Sequence, residues 1–226
     1  MIDISHAVSF IFEDRKWMSK VVLLAIFSFL SFTIVPFVLV LGYMLQLAIN
    51  VRQGLPRPLP NWDNWAKKLT LGGHVFLALL LYNSPLIFIY SCSWVIVAGL
   101  GGGILSGGIG FLTLCCALPF SILYTMVAWS MLATGVSEYM ETGEAGSMYR
   151  LVHLWDVMRA NTKVLRQWGL YATVVNVVLL ILLVIPFLGW VLIGLFGFPV
   201  HGHLFGQFAH QLSLTNKPKL HKSKNR

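Results

Sequence analysis

Charged and apolar positions are sharply segregated along this chain. Its Asp, Glu, Lys and Arg residues fall in four stretches, 3–20, 52–68, 138–166 and 217–226. Between them lie 21–51, 69–137 and 167–216, runs of 31, 69 and 50 residues without one such charge. A helix crosses the hydrocarbon core of a bilayer with about 20 apolar residues, so runs of this length read as membrane spans. The longest must hold two spans, and its centre, 99–110, carries seven glycines in twelve residues, an expected turn. The spans then fall near 71–97 and 108–134, with Pro85 and Pro119 inside them. The first and third runs contain Pro36 and Pro186. Each reads either as one kinked helix or as two helices turning at the proline. Two halves of the first run would rise only about 22 Å each, a short or re-entrant hairpin.

Basic residues arbitrate, because Lys and Arg accumulate on the cytoplasmic side of membrane proteins. If every run is a hairpin, all 16 Lys and Arg lie on one side, as three, four, four and five per stretch. Single spans in the first and third runs would split them eight and eight. The expectation is therefore an all-α polytopic transmembrane bundle of three helical hairpins, six full or partial spans, at about 21–51, 69–137 and 167–210. They form one domain over 1–216, followed by a basic cytoplasmic tail at 217–226. Both termini are expected on the cytoplasmic side of the inner membrane. Glu13 and Asp14 and the lack of an A-x-A site argue that 21 onward is a retained span rather than a cleaved signal.

Each hairpin is expected to follow an interfacial amphipathic helix. Leu151, Trp155, Met158, Leu165 and Trp168 mark one face, and Asp156, Arg159, Lys163 and Arg166 another, at helical spacing. Trp17 stands among Arg15, Lys16 and Lys20, and Trp62 and Trp65 precede Lys67 and Lys68. Tryptophan beside cations is the signature of an interfacial, lipid-facing anchor. At 57% hydrophobic and 11% charged, with mean hydropathy +0.77, the chain has no soluble domain of useful size. Its net charge of +8 suits anionic lipid headgroups rather than nucleic acid.

Candidate chemistry is sparse. Gly99, Gly103 and Gly107 have the small-xxx-small spacing that lets membrane helices approach closely, or they simply turn the chain. His203, Gln207 and His210 share a helix face, with His201 nearby. His203 and His210 are the candidate ligands for a tetrapyrrole, against the plainer reading of hydrogen-bonded structural histidines. No metal site is expected, since no Cys, Asp or Glu stands nearby to complete one. Cys92, Cys115 and Cys116 form no disulfide framework. Carboxylates are missing from every run, and Glu138, Glu141 and Glu144 read as a solvated loop, so no catalytic residues are assigned. Pro36, Pro85, Pro119 and Pro186 are the candidate hinges.

Three pieces carry a resemblance. They are Phe10-Ile11-Phe12-Glu13-Asp14 with Trp17 and Lys20, Leu41-Gly42-Tyr43-Met44-Leu45 running into Arg52-Gln53-Gly54, and Pro58-Leu59-Pro60-Asn61-Trp62-Asp63-Asn64-Trp65. Together they resemble a prokaryotic membrane family catalogued as domain of unknown function 4013, best over 1–90 and more loosely beyond. The resemblance implies no activity. In the third piece the prolines turn the chain into a helix that Asp63 is placed to cap. The expected function is a non-enzymatic accessory or scaffold subunit of a larger membrane complex, with anionic lipids and membrane proteins or its own copies as partners. The alternatives are a small permease or lipid-handling protein working at the Pro-broken hairpins, and a pigment- or haem-binding subunit of an electron-transfer or photosynthetic complex.

Overall fold

A computed structural model describes residues 2–99, 104–185 and 188–223, apart from the side chains of 104–106, 109, 114 and 216–223. All regular structure among the described residues is helical. The first lead forms α1 (Ile4–Glu13), opened by Asp3, whose Oδ1 accepts the Ser5 and His6 N–H groups at 2.9 and 3.3 Å. The first apolar run folds as two helices, α2 (Trp17–Phe29) and α3 (Ile34–Arg52). Their turn lies at 30–33, ahead of Pro36 rather than at it. Pro36 occupies the first turn of α3, where an N–H has no intrahelical partner to lose. With 13 residues α2 rises about 20 Å, short of the roughly 30 Å hydrocarbon core.

Among the described residues, five helices are long and apolar enough to cross a membrane. They are α3, α4 (Trp65–Gly99), most of α5 (Ile104–Thr142), α7 (Thr162–Leu183) and a composite helix over Leu188–Thr215. The composite joins α8 (Leu188–Leu192), a π-helical turn at Ile193–Gly197 and α9 (Phe198–Ser223), whose backbone stays helical into the basic stretch. Pro85 sits inside α4 without ending it. Proline cannot bond back to the Leu81 carbonyl, and the Ser84 hydroxyl donates to that oxygen instead, at 2.7 Å. Pro119 likewise lies within α5. Gly103 and Pro186 fall outside the described residues.

Two of the three leads differ from expectation. The second has no interfacial helix of its own, because Pro56, Pro58 and Pro60 fix φ and remove three N–H donors, 54–64 runs as an irregular strap, and the helix the prolines turn into is the span α4. Asn64, at φ 50°, rather than Asp63, caps α4 by accepting the Lys67 N–H at 3.3 Å. The third breaks at Asn161 into α6 (Leu151–Ala160) and α7, so Leu165 and Trp168 belong to the span and not to the lead. Within α6 the buried residue is Leu154, while Leu151 is 50% exposed. The cause is Gly135 of α5, whose missing side chain admits Leu154.

Close packing centres on α3. A Cβ on Gly42 would collide with the Lys68 carbonyl, and one on Gly72 with the Val38 carbonyl, so α3 and α4 cross almost backbone to backbone. On the other flank Gly202 and Gly206 of α9 meet α3. A Cβ on Gly206 would lie 2.6 Å from Val51 Cβ and 2.7 Å from the Ala48 carbonyl.

Candidate functional site

Polar side chains concentrate where the charged stretches meet, and there they bind one another. The strap is held from several sides. Lys20 Nζ donates to Asp14 Oδ2 at 2.7 Å and to the Leu59 carbonyl at 2.8 Å, with side-chain exposures of only 12% and 9% for the ion pair. Trp62 Nε1 donates to the Lys20 carbonyl at 2.7 Å, and its ring stacks on Tyr43 at 4.7 Å. Asn50 Nδ2 donates to the Pro58 carbonyl at 2.8 Å. Lys68, buried, donates to the Asp63 carbonyl. Lys20, Lys68 and Trp62, expected to face headgroups, are therefore turned inward. The strap offers backbone carbonyls that no helix satisfies, Lys20 and Lys68 satisfy two of them, and Trp62 ties the strap back onto the Lys20 carbonyl of α2.

Burial raises the Asp14 carboxyl, but the Lys20 hydrogen bond, the Lys16 N–H and the charges of Lys20 and Arg57 outweigh it. The net effect holds Asp14 below the usual carboxylate range.

A second cluster joins the hairpins. Arg52 of α3 pairs with Glu141 of α5 at 3.1 Å, and His210 Nδ1 of α9 donates to the Arg52 carbonyl at 3.1 Å. His153 Nε2 donates to Glu138 at 2.7 Å, and Arg150 pairs with Glu144 at 3.3 Å. The three glutamates read from sequence as a solvated loop are thus each engaged in an ion pair or hydrogen bond. Their i, i+3 spacing gave no sign of the partners, which come from α3 and from the segment beyond α5.

A third cluster latches α1 onto α9. The Asp3 N–H donates to Gln207 Oε1 at 2.7 Å, and Gln207 Nε2 donates to the Asp3 carbonyl at 3.1 Å and to His203 Nδ1 at 3.1 Å. His203 is 2% exposed, stacked on Phe10 at 4.3 Å and edge-on to His6 at 5.2 Å. A macrocycle at His203 would have to displace Phe10 and α1. His210 is exposed and engaged by its Arg52 contact. Among the described residues no group of three or more His, Cys, Asp or Glu is placed to hold a metal ion.

Other candidates lie apart from these clusters. Lys67, Arg159, Lys163 and Arg166 are exposed, and Arg159 lies 5.1 Å above the half-buried Trp155 ring. Trp17 packs edge-on to Phe12, Trp65 against Phe27 and Trp62, and Trp168 against Phe208 at 5.0 Å. Gly99 and Gly107 face open space, with nothing within 4 Å of a Cβ. The glycines that bring helices together against α3 are Gly42, Gly72, Gly202 and Gly206. The last two carry the G-x-x-x-G spacing that could have marked them in the sequence.

A family model described as Protein of unknown function (DUF4013) matches residues 26–194. The chain belongs to that family. No curated protein and no solved structure matches it. The DUF4013 segment contains the α3–α4 crossing, the strap and all three glutamates. The Phe10–Asp14 piece with Trp17 and Lys20 precedes it. Both partners of the α1–α9 latch also lie outside it, one before residue 26 and the other after residue 194.

Proposed function

We propose that this integral membrane protein is a non-enzymatic scaffold, an accessory subunit that packs against other membrane components. One observation carries the reading. The polar side chains of the strap, the glutamate cluster and the α1–α9 latch are spent on one another, whereas long apolar surfaces of α4 and α5 have no partner beyond each other among the described residues. Between residues 83 and 123 no described side chain is buried. An enzyme or ion carrier holds reactive or charged groups ready for a substrate. Here Lys20, Lys68, His203 and the glutamates hold helices and loops instead. Anionic lipid suits the exposed cations Lys67, Arg159, Lys163 and Arg166.

The test is gentle extraction of the tagged protein at native expression, with co-purifying proteins identified by mass spectrometry. Stoichiometric partner proteins support a subunit role, and a protein that extracts alone or with one bound lipid class rejects it.

A further inference from the structure

The span α7, only 6% buried over its most apolar window, carries a polar group at hydrocarbon depth. Asn176 of α7 is exposed, and its amide has no hydrogen-bond partner among the described residues. It stands ten residues beyond Arg166, the last charge before the span, or about 15 Å along the helix. That is half the thickness of a hydrocarbon core of about 30 Å. Around it Val174, Val177 and Leu180 are 53%, 50% and 62% exposed, as lipid-facing residues are. An amide left unpaired in hydrocarbon is costly, so this position calls for a hydrogen-bonding neighbour from outside the chain.

The residues in line with Asn176 say what kind of neighbour. Gly169, Thr173, Asn176, Leu180 and Leu183 follow spacings of four, three, four and three, the seam of a left-handed helix pair. None of the five is buried, and nothing lies within 4 Å of a Cβ on Gly169. The Thr173 hydroxyl is turned onto the Gly169 carbonyl at 2.8 Å, which leaves the seam narrow at that end. The buried stripe of α7 is a different one, centred on Val175, with Leu179 against Gly197 and Trp168 against Phe208. The seam borders an open groove that Asn176, Leu180 and Leu183 line together with Leu179 and Ile193, and its outer side is left exposed among the described residues.

We infer that this seam is where a second copy of the chain docks, α7 against α7, with the two Asn176 amides hydrogen-bonded to each other. Copies inserted in one membrane share one orientation, so two α7 helices related by a twofold axis along the membrane normal run parallel and in register. Asn176 then faces Asn176, and an amide both donates and accepts, which makes it its own complement. A single asparagine in such a seam fixes register and favours a dimer. An acyl chain, by contrast, has no group to offer the amide. The pairing is independent of the scaffold reading, because it concerns this chain alone and not the proteins that co-purify with it.

The test is oxidative cross-linking in native membranes, in a background with Cys92, Cys115 and Cys116 replaced by Ser. L180C places a thiol on the seam and V178C one on another exposed flank of the same helix. A disulfide dimer from L180C, at least fivefold more than from V178C and reduced at least fivefold by adding N176L, is the expected result. An apolar side chain at an exposed position does not threaten folding, and an unchanged extraction yield for N176L checks this. Equal cross-linking at the two positions, a dimer indifferent to N176L, no dimer, or a cross-link to a species of another mass overturns the inference.

Discussion

The helices α3 and α5 are almost equally apolar, yet 44% of the most apolar window of α3 is buried and only 6% of that of α5. Leu47 of α3 is wholly enclosed, whereas Phe111 and Leu123 of α5 are 68% and 66% exposed, and Trp94 of neighbouring α4 is 75% exposed. Hydropathy therefore does not separate the packed part of this molecule from its bare arm. Lipid tails are as apolar as leucine, so burial against another helix gains little from apolarity alone. What distinguishes α3 is close approach and hydrogen bonding. Gly42, Gly72, Gly202 and Gly206 bring backbones together, and Gln46 and Asn50 form a short relay to the strap, 3.0 Å apart. The arm has glycines too, but Gly99 and Gly107 face open space.

The largest expected effect comes from closing the α3–α4 crossing. Gly72→Leu sets a side chain into the Val38 carbonyl, where no rotamer relieves a clash with backbone, and should destabilise by at least about 3 kcal/mol. Gly107→Leu, in the arm, should stay within about 0.5 kcal/mol. Thermal unfolding of both variants in mild detergent makes the comparison, and equal losses would erase the distinction between packed and bare glycines. Next comes the strap. Lys20→Ala leaves Asp14 buried without its cation and should cost about 2 kcal/mol, below the range for a fully enclosed pair because both side chains keep some exposure. Glu144→Ala breaks a pair exposed at 67% and 62% and should change little.

Much of the architecture was legible in the spacing of charges, because the cost of burying charge in lipid is large enough to override local propensity. The uncharged runs gave the helical membrane class and the pair of long helices α4 and α5, but the turn expected over 99–110 is narrower, because α5 is already helical from Ile104. The resemblance of 41–54 and 58–65 to the DUF4013 pattern falls within the matched segment. The turn at Pro58 and Pro60 was legible, but the helix it feeds is the span α4 itself, capped at Asn64, and not the separate interfacial anchor that the Trp and Lys residues suggested. The inward turn of Lys20 was not legible, since it depends on a carbonyl presented by Leu59 far away in sequence, and that of Lys68 depends on how the strap folds back over the start of α4. Gly202 and Gly206 were legible by spacing but were overshadowed by the denser glycines at 99–110.

Acid should separate the two regions a further step. Asp14 is held below the carboxylate value of 3.8, so its stabilising contribution is whole above that pH and disappears as pH falls through the lower folded value. Melting temperature should therefore drop in that acid window, and Asp14→Asn, already weakened at neutral pH, should drop less. Parallel curves for the two proteins would remove Asp14 as a source of acid sensitivity.

The smallest effect on stability is expected in the arm, and it tests what the arm is for. Trp94 has most of its surface outside the fold, so Trp94→Ala removes contacts with lipid or partner rather than with this chain. Its melting temperature should match the parent's within the equivalent of about 0.5 kcal/mol. If the arm is a docking surface, the same substitution should deplete the co-purifying proteins, because a large aromatic ring is the kind of residue on which interface energy concentrates. Partners retained in full with melting unchanged would make this part of the arm a lipid-facing surface only. The packed half of the molecule would then have to supply the contacts of any complex, from the exposed cations near the strap or from the uncovered flank of α7.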